Sequence, residues 1–157
     1  WHGLKRSQQF EVALKNPNSM KDENILNNVL WSQIPQPKVF PEKFTLQIKT
    51  NNINRARENS FTISNTAGAV LHSRDNFKDS TEYNFQIILK RGSYSFLFKD
   101  EMEDGISVHW WNRNSDPEKI GINGTVQFLS LDGDTLHTFD PDFGQEIQFN
   151  FYVGALP

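Results

Sequence analysis

The feature that most constrains the fold is an alternation of apolar and polar residues, which recurs along the chain from Phe44 onward. Successive side chains of a β-strand point to opposite faces, so each alternating run places its apolar residues on one wall of a core. Glycine-containing turns such as Asp104-Gly105 and Asn123-Gly124 separate the runs. The pattern predicts an all-β chain of about eight or nine strands, folded as an antiparallel, jelly-roll-like β-sandwich.

Composition supports one real core and excludes several classes of protein. Aromatic residues make up 13% of the 157 residues, and each buried ring removes about 150–250 Å² from water. The absence of cysteine excludes disulfides, thiolate zinc sites and cysteine nucleophiles. A net charge of −3 gives no basic field for a nucleic acid backbone, and no apolar run is long enough for a membrane span.

The first 41 residues have a different character from the rest of the chain. Prolines 35, 37 and 41 hold residues 35–41 extended, and we interpret this stretch as a linker. Residues 42–157 are then the β-sandwich domain. Residues 1–34 contain two strand-like runs, which either complete the sandwich or are the last strands of an upstream domain. We favour the upstream domain, because the chain begins at Trp1 and reads as a piece of a longer protein.

Two local patterns resemble known bacterial families. The run from Phe10 to Asn18, with the later Asp22-Glu23 and Asn27-Asn28 pairs, resembles the end of a cell-adhesion-related immunoglobulin-like domain. The run Gly92 to Ile106 contains Tyr94, Phe96, Phe98, Asp100 and Asp104-Gly105. It is similar to terminal modules of secreted bacterial hydrolases, whose consensus is roughly G-x-Y-x-F-x-h-x-D-x-x-G-D-G-h. With Phe139 to Gly144, it looks most like the C-terminal region of peptide-N-glycosidase F-like or metallopeptidase-type proteins.

The resemblance implies a non-catalytic accessory module of a secreted, periplasmic or cell-surface enzyme that processes glycans or peptides. Its partners would be the upstream domains of the same chain, held by packing around Trp31 and the proline-rich segment. The sequence also lacks familiar catalytic motifs, which agrees with a non-catalytic module. None of the four histidines stands in a metal-binding spacing such as HExxH, and no GxSxG nucleophile elbow occurs.

The acidic turn after the Tyr94 run is the one candidate cofactor site. Calcium takes six to eight oxygen ligands, which clustered carboxylates on a turn can supply in part. The sequence therefore offers Asp100, Glu103, Asp104 and Asp116 as candidate calcium ligands. The alternative is a solvated hairpin turn in which Asp-Gly only fits the backbone dihedral angles.

The pair Trp110-Trp111 offers a second candidate site. If Trp110 continues the inward face, Trp111 points outward beside the polar residues Asn112, Arg113 and Asn114. An indole face with neighbouring amides can bind a sugar ring and its hydroxyls. Trp111 can equally pack under its own loop or against a neighbouring domain. The rival to the structural tether is therefore a carbohydrate-binding module with this exposed platform.

A glycan array with the 157-residue chain distinguishes the two roles. A structural tether predicts a blank array both with calcium and with chelator. A binding module predicts capture of a defined glycan class, and loss of capture in chelator would place a cation near its site.

Overall fold

The structure is a computed structural model, and it describes residues 9–13, 29–33, 36–109 and 121–156. These residues form eleven strands and one short 3-10 helix, Ala56–Glu58. The strands are β1 Gln9–Ala13, β2 Val29–Gln33, β3 Lys38–Phe40, β4 Lys43–Lys49, β5 Asn59–Asn65, β6 Val70–Arg74, β7 Glu82–Ile88, β8 Gly92–Asp100, β9 Thr125–Leu129, β10 Thr135–Thr138 and β11 Glu146–Val153. No helix in these ranges has the length and apolar character that a membrane span needs.

The chain divides into two compact units, one of residues 1–37 with Pro157 and one of residues 38–156. In the first unit, β1 and β2 pair antiparallel, with Gln9 opposite Gln33 and Ala13 opposite Val29. A two-stranded ribbon is marginal by itself in water. The assignment of residues 1–34 to an immunoglobulin-like domain stays a prediction.

The second unit is a β-sandwich, which confirms the predicted fold class. One sheet has four strands in the order β10-β9-β4-β7, and the other has five in the order β3-β11-β8-β5-β6. Every pairing is antiparallel except that of β3 with β11, which is parallel. The jelly-roll-like strand order stays a prediction.

The sandwich begins at Lys38, inside the segment that the sequence assigned to the linker. Strand β3 lies at the edge of the five-stranded sheet, where flanking prolines do not interrupt a central ladder. The Phe40 side chain is 2% exposed, with its ring centroid 5.1 Å from those of Phe128 and Phe151. The three prolines drew the prediction toward a linker, although the segment carries a core aromatic residue.

Ile106, Val108 and Trp110 also alternate with polar residues in the sequence, which favours a further strand, but the described part of this segment is not a strand. Ile106 is buried as expected, but residues 101–109 form turns and bends. The backbone N–H groups of Ile106 and Val108 donate hydrogen bonds to residues in loops and not to a neighbouring strand. The Ile106 N–H donates to the carbonyl of Pro141 at 2.9 Å, and the Val108 N–H donates to Asn123 Oδ1 at 2.7 Å.

The Phe40→Ala substitution should lower the free energy of unfolding by about 3–5 kcal/mol, because it leaves a ring-sized cavity in the core. Val39 is 45% exposed on the same strand, so Val39→Ala should cost only about 0.5–1 kcal/mol. Urea denaturation of both variants measures the difference. Equal and small effects would mean that β3 is a dispensable linker.

Candidate functional site

Two buried polar residues, Asn59 and Asp100, lie at the end of the core where β5 begins and β8 ends. Phe61 of β5 lies opposite Phe98 of β8, and two residues further along the same face Asn59 lies opposite Asp100. Asn59 is 3% exposed and Asp100 is 2% exposed. The inward register that buries phenylalanine along both strands therefore places an amide and a carboxyl group at the end of the core.

Asp100 belongs to a cluster of three carboxyl groups. Oxygen atoms of Glu58, Asp100 and Asp104 lie within 4.8 Å of one another. Glu58 ends the 3-10 helix immediately before β5, and Asp104 lies in the turn that follows β8. We call Glu58, Asp100 and Asp104 the acidic trio.

Arg55 contributes the positive charge beside the acidic trio. Its Nη1 atom lies 2.9 Å from Asp104 Oδ2 and 3.7 Å from Glu58 Oε2. The Arg55 carbonyl accepts hydrogen bonds from the Asn59 side chain and from the Glu58 N–H, both at 3.2 Å. These bonds hold the start of β5 against the residue that carries the guanidinium.

Burial dominates the electrostatics of the trio. Desolvation raises the pKa of Asp100, and the nearby Asp104 charge adds to the rise. Desolvation likewise raises the pKa of Glu58, although the Arg55 guanidinium opposes the shift. Among the described residues, no hydrogen-bond partner reaches Asp100 Oδ2 or Asn59 Oδ1. The site therefore holds buried oxygen atoms whose polar interactions are incomplete.

Two of the four predicted calcium ligands come together here. Asp100 and Asp104 belong to the trio, whereas Glu103 does not. Glu103 has a φ of +62°, and its Oε1 accepts a hydrogen bond from Gln145 Nε2 at 3.2 Å. Asp116 lies outside the described residues. Sequence reasoning missed Glu58, because only the pairing of β5 with β8 brings it to Asp100, and no local motif signals that contact.

Strand alternation would place His109 on the outward face beside Trp111, but the structure partly buries its ring. Its side chain is 16% exposed. Its Nε2 atom lies 3.0 Å from the Asp104 carbonyl oxygen and 3.7 Å from Asp142 Oδ1. Because residues 101–109 form turns, strand alternation gives the wrong direction for this ring.

A second arrangement of polar groups covers the outward face of the four-stranded sheet. Four side chains form a hydrogen-bonded chain across all its strands, and we call it the amide row: Thr138, Gln127, Gln47 and Asn84. Thr138 Oγ1 donates to Gln127 at 3.3 Å, Gln127 Nε2 to Gln47 at 2.6 Å, and Gln47 Nε2 to Asn84 at 3.1 Å. Glu82 Oε1 accepts from Gln47 at 2.8 Å and from Asn84 at 3.1 Å.

A groove of about 380 Å³ lies at one end of this face. Lys49, Glu82 and Thr125 line it from the ends of β4, β7 and β9, and Ile122 and Asn123 line it from the loop before β9. Lys49 Nζ and Glu82 Oε2 form an ion pair at 3.1 Å, which leaves that edge without net charge. The Ile122 side chain is 70% exposed. The groove thus combines an ion pair and uncharged polar groups with one exposed apolar side chain.

The predicted sugar platform, Trp111 with Asn112, Arg113 and Asn114, lies outside the described residues. Val108 and Gly121, which flank residues 110–120, lie close together. A Cβ atom at Gly121 would lie 2.6 Å from a methyl group of Val108, so the lack of a side chain at Gly121 permits this close approach. Gly121 leads directly into the residues that line the groove.

Comparison of the chain with models of known protein families, with curated proteins and with solved structures finds no match. The resemblance to secreted bacterial hydrolase modules therefore stays a prediction. Inference about function depends on the acidic trio, the amide row and the groove.

The Gly105→Ala substitution should destabilise the fold by about 2–4 kcal/mol. Gly105 has a φ of +68°, and a Cβ atom there would lie 2.5 Å from the Pro141 carbonyl oxygen. Gly133 has a φ of +91° but nothing within 4 Å, so Gly133→Ala should cost only about 1 kcal/mol. Thermal melts of both variants test this, and equal losses would contradict the close approach of Pro141.

The Asp100→Asn substitution should raise the melting temperature at pH 7 in chelator. A carboxyl group whose pKa is raised by folding binds its proton more tightly in the folded state. Its ionisation therefore costs stability, and the loss grows as the pH rises above the unfolded pKa of about 4. Melts between pH 4 and pH 8 should show a smaller decline with pH for the variant than for the parent. If the melting temperature of the variant declined with pH as steeply as that of the parent, the pH dependence would belong to other titratable groups.

Proposed function

We propose that the protein is a non-catalytic accessory module that binds a neutral glycan on the outward face of its four-stranded sheet. The observation that carries this proposal is the amide row, which crosses all four strands. An accessory module can act as a structural tether or as a recognition module. The amide row favours recognition, because a tether needs no ordered row of hydrogen-bonding groups.

Amide and carboxylate groups suit the hydroxyl groups of a sugar. Each offers paired donors or acceptors, and small numbers of such groups fix the orientation of a ligand in a binding site. Neighbouring strands lie about 4.8 Å apart, so the row repeats its polar groups at a regular interval. A chain of linked sugar rings presents hydroxyl groups repeatedly along its length.

The hydrogen bonds within the row hold its side chains in place before a ligand arrives. Gln47 alone has three such contacts, to Gln127, Asn84 and Glu82. Ordering flexible side chains during binding costs free energy, so groups that are already fixed lose less on contact with a ligand. The row is in this sense preorganised.

Charge and shape indicate a neutral ligand that extends into the groove. The ion pair between Lys49 and Glu82 neutralises the edge where the face meets the groove. The volume of about 380 Å³ lies within the range of small-ligand sites. Exposed Ile122 offers an apolar surface for the C–H groups of a sugar ring. The predicted Trp111 platform is a separate proposal, since its residues lie outside the described ranges.

The acidic trio does not favour an enzyme. A catalytic carboxyl group must reach its substrate, and Asp100 is 2% exposed. The resemblance to secreted bacterial glycan- or peptide-processing enzymes implies that a parent protein would carry its catalysis in another domain. A secreted, periplasmic or cell-surface location goes with that proposal.

The Gln47→Ala variant should bind a captured neutral glycan at least about tenfold more weakly than the parent. Gln47 stands at the centre of the row, so its removal breaks three of the contacts that order it. An array of neutral oligosaccharides first identifies the ligand, and calorimetry then gives the affinity of each variant.

Gln148→Ala is the matched control, because Gln148 is exposed on β11 of the other sheet. It should bind the glycan as the parent does, and thermal melts should show that both variants fold. A blank array with the parent chain would remove glycan binding and leave the structural tether. Equal losses in both variants would also count against the amide row.

A further inference from the structure

We propose that the acidic trio, together with the amide oxygen of Asn59, forms a calcium site at the end of the sandwich core. The proposal rests on the carboxylate geometry and on buried oxygen atoms without partners. It does not depend on glycan binding.

The distances fit one shared ion. Calcium binds oxygen at about 2.3–2.6 Å, so two of its ligands cannot lie more than about 5 Å apart. Oxygen atoms of all three carboxyl groups lie within 4.8 Å of one another. Glu58 comes from a different part of the chain than Asp100 and Asp104, so its convergence with them is a property of the fold.

Buried oxygen atoms without partners are the second observation. In the described part of the chain, Asp100 Oδ2 and Asn59 Oδ1 have no hydrogen-bond partner. Both residues are more than nine-tenths buried, and they lie side by side as cross-strand partners on the inward face. Directly opposite side chains on a sheet have Cβ atoms about 4.5–5.5 Å apart. A cation between them would give both oxygen atoms the interaction that they lack.

The charge of the trio is suited to a cation. Its three carboxyl groups carry three negative charges when ionised, and the Arg55 guanidinium offsets one of them. Arg55 lies beside Asp104 and Glu58, and no ion pair reaches Asp100 among the described residues. The carboxylate that most needs a cation is therefore the one that Arg55 leaves uncompensated.

Ligand chemistry favours calcium over magnesium. Calcium accepts irregular sets of carboxylate and amide oxygens, whereas magnesium demands a near-ideal octahedron and keeps several waters. The Arg55 guanidinium already contacts Asp104 and Glu58, and calcium tolerates such a partly occupied set of ligands better than magnesium does. Water molecules would complete the coordination shell on the solvent side of Asp104.

A bound ion would act as a structural clamp. It would join the start of β5, through Glu58 and Asn59, to the turn that follows β8, through Asp100 and Asp104. The same turn holds Ile106, whose carbonyl accepts a hydrogen bond from the Gly124 N–H at 2.8 Å. Calcium should therefore stabilise this end of the sandwich against unfolding.

Thermal melts of the 157-residue chain with calcium chloride, magnesium chloride or chelator test the proposal. Calcium at about 100 times its dissociation constant should raise the melting temperature by about 5–10 °C, and magnesium at the same concentration should raise it less. Calorimetry should give a stoichiometry near one. No calcium heat and no shift in the parent chain would overturn the proposal.

Matched variants separate this site from a general response to calcium. Asp100→Asn and Glu58→Gln should lose the calcium-dependent shift while melting cooperatively in chelator. Glu103→Gln should keep the shift, because Glu103 lies in the same turn but outside the trio. Loss of the shift in Glu103→Gln with retention in Glu58→Gln would contradict the proposed ligand set.

Discussion

The packing of phenylalanine rings between the two sheets is the interaction on which the rest of the structure depends. Phe128 of the four-stranded sheet has its ring centroid 5.1 Å from that of Phe96 in the five-stranded sheet, with the rings at 73°. It contacts Phe40 at 5.1 Å and Phe139 at 5.7 Å. These edge-to-face contacts bury large apolar areas in a geometry that aromatic quadrupoles favour. The core thereby fixes how the sheets face each other.

The same packing fixes what each sheet shows to solvent. A slip of one residue in register would exchange the two faces of a strand, so burial of Leu46 and Ile48 forces Gln47 outward. The pairings Gln47 with Gln127 and Gln47 with Asn84 then set the amide row. The proposed glycan face is thus a direct consequence of the core register.

The acidic trio arises where the core register continues beyond the apolar residues. Asp100 occupies the inward position that follows Phe96 and Phe98, and Asn59 occupies the one before Phe61. Burial of a carboxyl group without full compensation is costly, and Arg55 compensates only part of this cluster. This incompletely compensated end of the core is the place where we propose that a calcium ion binds.

The sequence by itself determined the fold class and the location of the acidic turn. Strand alternation is a local property, and it predicted the apolar walls of the sandwich and the inward position of residues such as Phe44 and Phe96. Asp100 and Asp104 lie close together in the chain, so the sequence also predicted that their carboxyl groups lie near each other. The three prolines led to a domain boundary placed after residue 41, because proline spacing is a local signal that does not reveal that Phe40 packs in the core.

Only the tertiary structure decided which distant groups meet. Glu58 joins Asp100 because β5 pairs with β8, and the amide row forms because β9, β4 and β7 are neighbours. Strand order depends on packing between residues far apart in sequence, and alternation within one strand carries no information about its partner. Within the strands, the sequence therefore specified which side chains face inward or outward, and the pairing of strands specified the sites that they build.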